Sequence, residues 1–221
     1  MIRIARILVW WFRDYAYAGL WQLRATFNRT DPAAFRTGDG TPIVVLPGVY
    51  ETWKFMQPLV TAMHDRGHPV HVVEPLRRNR RPVAEMAEKV TAYLEQQDLR
   101  DVVLVAHSKG GLVGKQVMVG PAGERVRSMV AIATPFGGSR YATMLPARSL
   151  RLFSPRDATI VALGGQLTFN TRIVSIYGTF DPHIPERSEL AGARNVMLTT
   201  GGHFRILAHP RVIEEVETAA A

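Results

Sequence analysis

The chain has 221 residues, enough for one domain with a sizeable core. It has no cysteine, which excludes a disulfide framework and thiol chemistry. The net charge is +8, but only four of the 27 basic residues are lysine (Lys54, Lys89, Lys109 and Lys115), and the tightest cluster, Arg77-Arg78-Asn79-Arg80-Arg81, has no nucleic-acid module around it, so no nucleic-acid partner is expected.

In chain order, Met1 to Arg24 reads as a helix. It places Ile4, Ile7, Leu8, Trp11, Phe12 and Tyr15 on one face and Arg3, Arg6, Arg13 and Arg24 on the other. Two readings stay open: peripheral contact with an anionic membrane through residues 1–24, or packing on the protein body or another subunit. Arg13-Asp14 interrupts any spanning segment. Ala16-Tyr17-Ala18 resembles a signal cleavage site, but the apolar core before Arg13 is too short. A cytoplasmic location, peripheral at the membrane, is therefore expected, with secretion the weaker alternative.

Residues 1–39 form this helix and its connection, and residues 40–221 form the main domain. Strands are expected near 42–46, 69–74, 101–106, 126–133, 172–177 and 195–199, and helices near 51–66, 82–97, 110–119 and 209–219. Alternation with continuous apolar strands predicts an α/β fold with a mainly parallel sheet covered on both faces. Residues 138–170 read either as a small lid or as a solvated connection. His64, His68 and His71 read as structural, with a weak suggestion of a metal site. His107 is expected to pack, His183 to lie near the site and His209 to start the last helix.

The informative stretch is Val105-Ala106-His107-Ser108-Lys109-Gly110-Gly111. A buried strand meets a helix at Ser108, with small residues two before and two after it. Such a turn is sharp and strained and lifts the hydroxyl above the sheet edge. Asp181 follows the next-to-last strand and His203 the last, within Thr200-Gly201-Gly202-His203-Phe204. Serine, aspartate and histidine in this order, each just after a strand, suit a nucleophile, an orienting acid and a base. Gly48, after strand 42–46, lets the backbone N–H of Val49 point inward, and the N–H of Lys109 would be its partner in an oxyanion hole.

These segments resemble the α/β-hydrolase superfamily, specifically its small bacterial lipases and esterases. The resemblance covers roughly residues 40 to 220. It rests on Leu46-Pro47-Gly48-Val49, Ala106-His107-Ser108-Lys109-Gly110, Ala133-Thr134-Pro135-Phe136-Gly137-Gly138-Ser139, Asp181-Pro182-His183-Ile184-Pro185 and Gly202-His203-Phe204. Ala106 stands where the usual motif has glycine, and Pro47-Gly48 where His-Gly is usual. The resemblance implies a serine hydrolase cleaving carboxylic esters, lipid-like ones in particular, with no metal or organic cofactor. Thioester cleavage on the same residues, and a non-catalytic lipid- or partner-binding protein, remain as alternatives.

Overall fold

The computed structural model describes residues 2–144 and 148–221, and the side chains of residues 4–144 and 150–221. Leu145 and the side chains of Arg3 and Arg148 lie outside the described residues. Six strands form one parallel sheet in the order β2-β1-β3-β4-β5-β6. They are β1 Ile43–Leu46, β2 Val70–Val72, β3 Val102–His107, β4 Val126–Ile132, β5 Ile173–Phe180 and β6 Arg194–Gly201. The helices are α1 Ile2–Phe27, α2 Gln57–His64, α3 Val83–Gln96, α4 Lys109–Val119, α5 Arg148–Arg151, α6 Ala158–Gly164 and α7 Pro210–Ala220.

Strands β1 and β3 are buried at every position, as their unbroken apolar sequence requires when helices cover both faces. Alternate residues serve different cores. Val44, Leu46, Leu104 and Ala106 pack with α3, α4 and α6, whereas Ile43, Val45, Val103 and Val105 pack with α2 and α7. Each such valine or leucine contributes about 1.5–3 kcal/mol of burial. The chain leaves β1 toward β2 and then crosses back to pair β3 on the other side of β1. The loops after β1 and β3 thus diverge at the carboxyl edge, and a crevice opens there.

Three expectations are refined. The helix expected over 51–66 divides into a 3₁₀ turn, Trp53–Met56, and α2, with Pro58 in the first turn of α2. Strands β5 and β6 outrun their expected ends, because pairing continues past a register shift between Gly178 and Phe180. Asp181 consequently comes straight off the end of β5. His64, His68 and His71 do not converge: they meet the Thr37 hydroxyl at 2.9 Å, the Thr41 carbonyl at 3.0 Å and the Tyr93 hydroxyl at 3.3 Å. Among the described residues no cluster of three or more His, Cys, Asp or Glu could hold a metal ion, which removes the weak metal suggestion for these histidines.

Helix α1 packs inward through a stripe that belongs to neither of the two expected faces. Its inward stripe is Trp10, Asp14, Tyr17, Ala18 and Trp21, packed on β6 and the segment after it. The Trp10 ring stacks 6.5 Å from Phe180, and a Cβ on Gly201 would lie 2.4 Å from that indole. Of the face expected to be apolar, Ile7 is half-buried, while Ile4, Leu8, Trp11, Phe12 and Tyr15 are exposed. Arg6, Arg13 and Arg24 are exposed as well. The helix therefore packs on the body through one stripe and still presents a second apolar face outward. Among the described residues, no helix is long and apolar enough to cross a membrane.

Candidate active site

Ser108 occupies the junction of β3 and α4 with φ 51° and ψ −121°, a left-handed conformation that a non-glycine residue adopts only under constraint. The constraint is visible around it. Its N–H donates to the Ile132 carbonyl at 2.8 Å. A Cβ on Gly110 would lie 2.0 Å from the Leu46 carbonyl oxygen, and one on Gly111 would lie 2.0 Å from the Thr134 hydroxyl. The small residues of the motif are thus what allows α4 to run against β1 and β4.

The three residues singled out in the sequence come together. His203 Nε2 lies 3.0 Å from Ser108 Oγ, and His203 Nδ1 lies 2.8 Å from Asp181 Oδ2. An ionised carboxylate only accepts, so Nδ1 carries the proton and Nε2 is left to accept from the serine hydroxyl. The other Asp181 oxygen, Oδ1, accepts the N–H groups of His183 at 2.7 Å and Ile184 at 3.1 Å, which fixes the carboxylate plane. Burial pushes the Asp181 carboxyl upward, but the His203 charge and hydrogen bond and the His183 N–H outweigh it, leaving it below its ordinary value. Burial alone would lower the His203 ring; Asp181, with Glu51 and Asp14 nearby, reverses that and raises it. The other acids of this region are engaged elsewhere. Asp157 caps α6 through the Thr159 N–H at 2.9 Å, and Glu186 pairs with Arg140.

The candidate oxyanion donors are positioned by a brace. Gly48 N–H donates to Glu51 Oε2 at 2.8 Å, Tyr50 N–H to the Arg78 carbonyl at 2.8 Å, and Glu51 N–H to the Gly48 carbonyl at 3.3 Å. Val49 faces the cavity that Ser108 opens into. Lys109 is the first residue of α4, where helix N–H groups have no intrahelical acceptor. Its side chain turns away and is fully buried, with the ammonium donating to the carbonyls of Asn79 at 2.8 Å and of Arg81. Burial pushes this lysine down to about 8, and the Glu85 charge opposes the fall. Asn79, also fully buried, donates to the Pro47 carbonyl at 2.8 Å. The basic cluster 77–81 thus turns its backbone inward to support the loop that carries Val49, while its four arginines stay exposed.

The roles of three residues around His203, namely Asp14, His107 and Glu51, escaped the sequence reading. Asp14 is fully buried and accepts three backbone N–H groups: His203 at 2.8 Å, Phe204 at 2.8 Å and Arg205 at 2.7 Å. Gly202 belongs to this arrangement, with φ 122° and no room for a Cβ, which would lie 2.4 Å from Asp14 Oδ1. On the far side, His107 Nε2 donates to the His203 carbonyl at 2.9 Å, and His107 Nδ1 lies 2.8 Å from Glu51 Oε2. The signal for Asp14 was present: it is the one acidic residue in the first 27. Glu51 and His107 gave none, since their pairing spans 56 positions.

The cavity has a volume of about 700 Å³. Ser108 and His203 line it, and Phe55, Leu150, Phe153 and Ile184 give it an apolar wall. Tyr141, Ala142, Leu150 and Phe153, from the segment 138–170, form part of the wall. Tyr15 of α1 also lines it, its hydroxyl 3.0 Å from His183 Nε2. Burial, with the nearby His203 charge, pushes His183 down to about 3, so its ring is neutral.

The chain has the α/β-hydrolase fold. The lipase BlEst2 of Bacillus licheniformis superposes with a TM-score of 0.67 at 16% identity, over 88% of this chain and 95% of that one. Lipase B of Aspergillus fumigatus gives 0.64 at 15% identity, over 83% of this chain and 54% of that one. MGS-MChE2, an α/β hydrolase from a lagoon-sediment metagenome, gives 0.60 at 19% identity, over 82% and 90%. No family model matches the sequence, and no curated protein sequence matches it.

Proposed function

We propose that this protein is a serine hydrolase that cleaves carboxylic esters of lipid character. The observation that carries the reading is the hydrogen-bonded chain Ser108–His203–Asp181, at 3.0 and 2.8 Å, opening into an apolar cavity of about 700 Å³. Ser108 Oγ attacks the ester carbonyl carbon as His203 Nε2 takes its proton. Asp181 holds the ring and stabilises the imidazolium. The N–H groups of Val49 and Lys109 receive the oxyanion, a contribution of about 3–4 kcal/mol per donor in comparable sites. The tetrahedral intermediate collapses, the leaving alcohol takes the proton from Nε2, and an acyl ester on Ser108 remains. Water then attacks that ester, its proton passing to Nε2. Collapse returns the proton to Ser108 Oγ and releases the carboxylic acid. Apolar walls suit an acyl chain better than a charged substrate. The lipases of Bacillus licheniformis and Aspergillus fumigatus that share the fold are consistent with this reading.

The test is covalent labelling with a serine-reactive phosphonate, followed by chromogenic esters and thioesters of graded chain length. One mole of label per chain is expected on Ser108, with turnover of esters longer than acetate. Ser108→Ala should remove the label and reduce turnover by about 10⁶-fold, as loss of a serine nucleophile does elsewhere. A folded wild-type protein that neither labels nor turns over any acyl ester is a binding protein, not a hydrolase. Preference for thioesters would move the substrate class and leave the residues in place.

A further inference from the structure

The outward face of α1 has no work inside the molecule. It carries Ile4, Leu8, Phe12, Leu20, Leu23 and Phe27, with Phe12 73% and Phe27 75% exposed. Ala5, Ala16 and Gly19 lie between them on the same side, so the stripe runs the length of a helix of roughly 39 Å. Soluble monomers rarely leave so long an apolar surface uncovered. One edge of the stripe is basic: Arg6, Arg13 and Arg24 are exposed along it. The Arg6 and Arg24 guanidinium groups rest 4.8 and 5.0 Å from the rings of Trp10 and Trp21. The one acid of the helix, Asp14, points inward and is taken up by three backbone N–H groups. No carboxylate therefore opposes an anionic surface on this helix. The other edge of the stripe meets the cavity, because Tyr15, Gly19 and Gln22 help line it.

We infer that α1 lies along an anionic lipid bilayer, with its apolar stripe in the headgroup–acyl boundary and Arg6, Arg13 and Arg24 against lipid phosphates. Apolar depth and a basic rim, on a helix that does not span, are the two requirements for such binding. Charge favours this occupant over a second copy of the chain, which has the same net charge of +8 and would set its own Arg6, Arg13 and Arg24 edge near this one. In this pose the bilayer touches the mouth of the Ser108 cavity. On the reading that the site hydrolyses lipid-like esters, substrate then passes from the membrane to Ser108 without crossing bulk water.

The test uses the full-length protein and sedimentation with two vesicle types, pure phosphatidylcholine and phosphatidylcholine containing phosphatidylglycerol. Binding should be at least tenfold stronger on the phosphatidylglycerol vesicles, and about 0.5 M salt should weaken it severalfold by screening the arginines. Phe12→Glu combined with Leu23→Glu should abolish binding. Arg13→Glu combined with Arg24→Glu should reduce it to the level on neutral vesicles. Circular dichroism should be unchanged in both, since these side chains are exposed. Lack of binding by the wild type to phosphatidylglycerol vesicles overturns the proposal. So does a wild-type dimer that Phe12→Glu converts to a monomer, because the stripe is then a self-association surface. Vesicle binding is read without turnover. An inactive protein that binds leaves the docking surface standing and removes only the hydrolase reading.

Discussion

The two ends of the Ser108–His203 contact are held in different ways. The serine end is local. β3, the elbow and α4 are consecutive, and what fixes them is steric: Gly110 against the Leu46 carbonyl, Gly111 against Thr134. The histidine end hangs on distant parts of the chain. Its N–H groups are held by Asp14, 189 to 191 positions away, and its carbonyl by His107, 96 positions away. A strand-to-helix elbow generates its own geometry. A loop after an edge strand has no such resource and needs partners from elsewhere.

Among the groups that support this contact, the largest effect belongs to the link between its two ends. Asp181→Asn keeps the shape of the side chain but presents an amide to Nδ1, which favours the wrong tautomer of His203. A loss of about 10⁴-fold in kcat is expected, with the melting temperature little changed. Combined with His203→Ala, the loss should be far from additive, because the groups act as a unit. Near-normal turnover in the single variant would hand the acid role to another carboxylate. Disrupting the local end should instead cost stability. Gly110→Val forces side-chain atoms into the Leu46 carbonyl, and a loss of about 3 kcal/mol or more is expected, read as a drop in the urea midpoint.

This contrast explains what the sequence made legible. Ser108 is visible because every determinant of an elbow lies within a few residues of it. Asp181 and His203 are visible because each follows a strand in the right order. The parallel sheet follows from apolar runs alternating with helical periodicity. What the sequence hid is long-range. Apolarity alone could not tell which face of α1 packs inward, because the helix has two apolar faces and the inward one carries a carboxylate. Asp14 read only as a break, with Arg13, in any membrane-spanning segment, whereas its carboxylate accepts three N–H groups of the His203 loop. The lengths of β5 and β6 were hidden for a related reason, since pairing beyond Gly178 depends on a bulge that only the partner strand defines.

Asp14→Asn tests the distant end. One of its oxygens becomes an NH₂ group facing a backbone N–H, so at least one of three charge-assisted hydrogen bonds is lost. We expect kcat on a soluble short-chain ester to fall about 10-fold with KM nearly unchanged, the size of one such bond. A second readout separates positioning from simple folding support. Asp14 is among the groups that raise His203, behind Asp181 and Glu51. The base must be neutral to act, so the acid limb of the kcat/KM profile follows the His203 ring and should move to lower pH in the variant. A fall in melting temperature with an unmoved limb would reduce Asp14 to a structural cap.

The smallest expected effect asks whether the serine end is purely local. Lys109 and Lys115 are both buried on α4, and burial pushes each down to about 8. For a cation lowered in the folded state, the unfolded chain holds the extra proton between that value and the ordinary 10.5, so folding stability rises with pH over that window. Tyr17, held up to about 12 mainly by burial, acts oppositely above its ordinary 10.0, which confines the rise to about pH 8–10. The two lysines differ in their partners. Lys115 Nζ sits 5.9 Å over the Phe136 ring, whereas Lys109 ties the 77–81 segment to α4 through two carbonyls. Lys115→Met should therefore stabilise the protein by about 1 kcal/mol at pH 7, flatten the rise and leave turnover alone. Lys109→Met should flatten the rise equally but lower kcat severalfold, because the segment that supports the Val49 loop loses its tie. Equal turnover in the two variants would mean that the serine end needs no support from outside its own elbow.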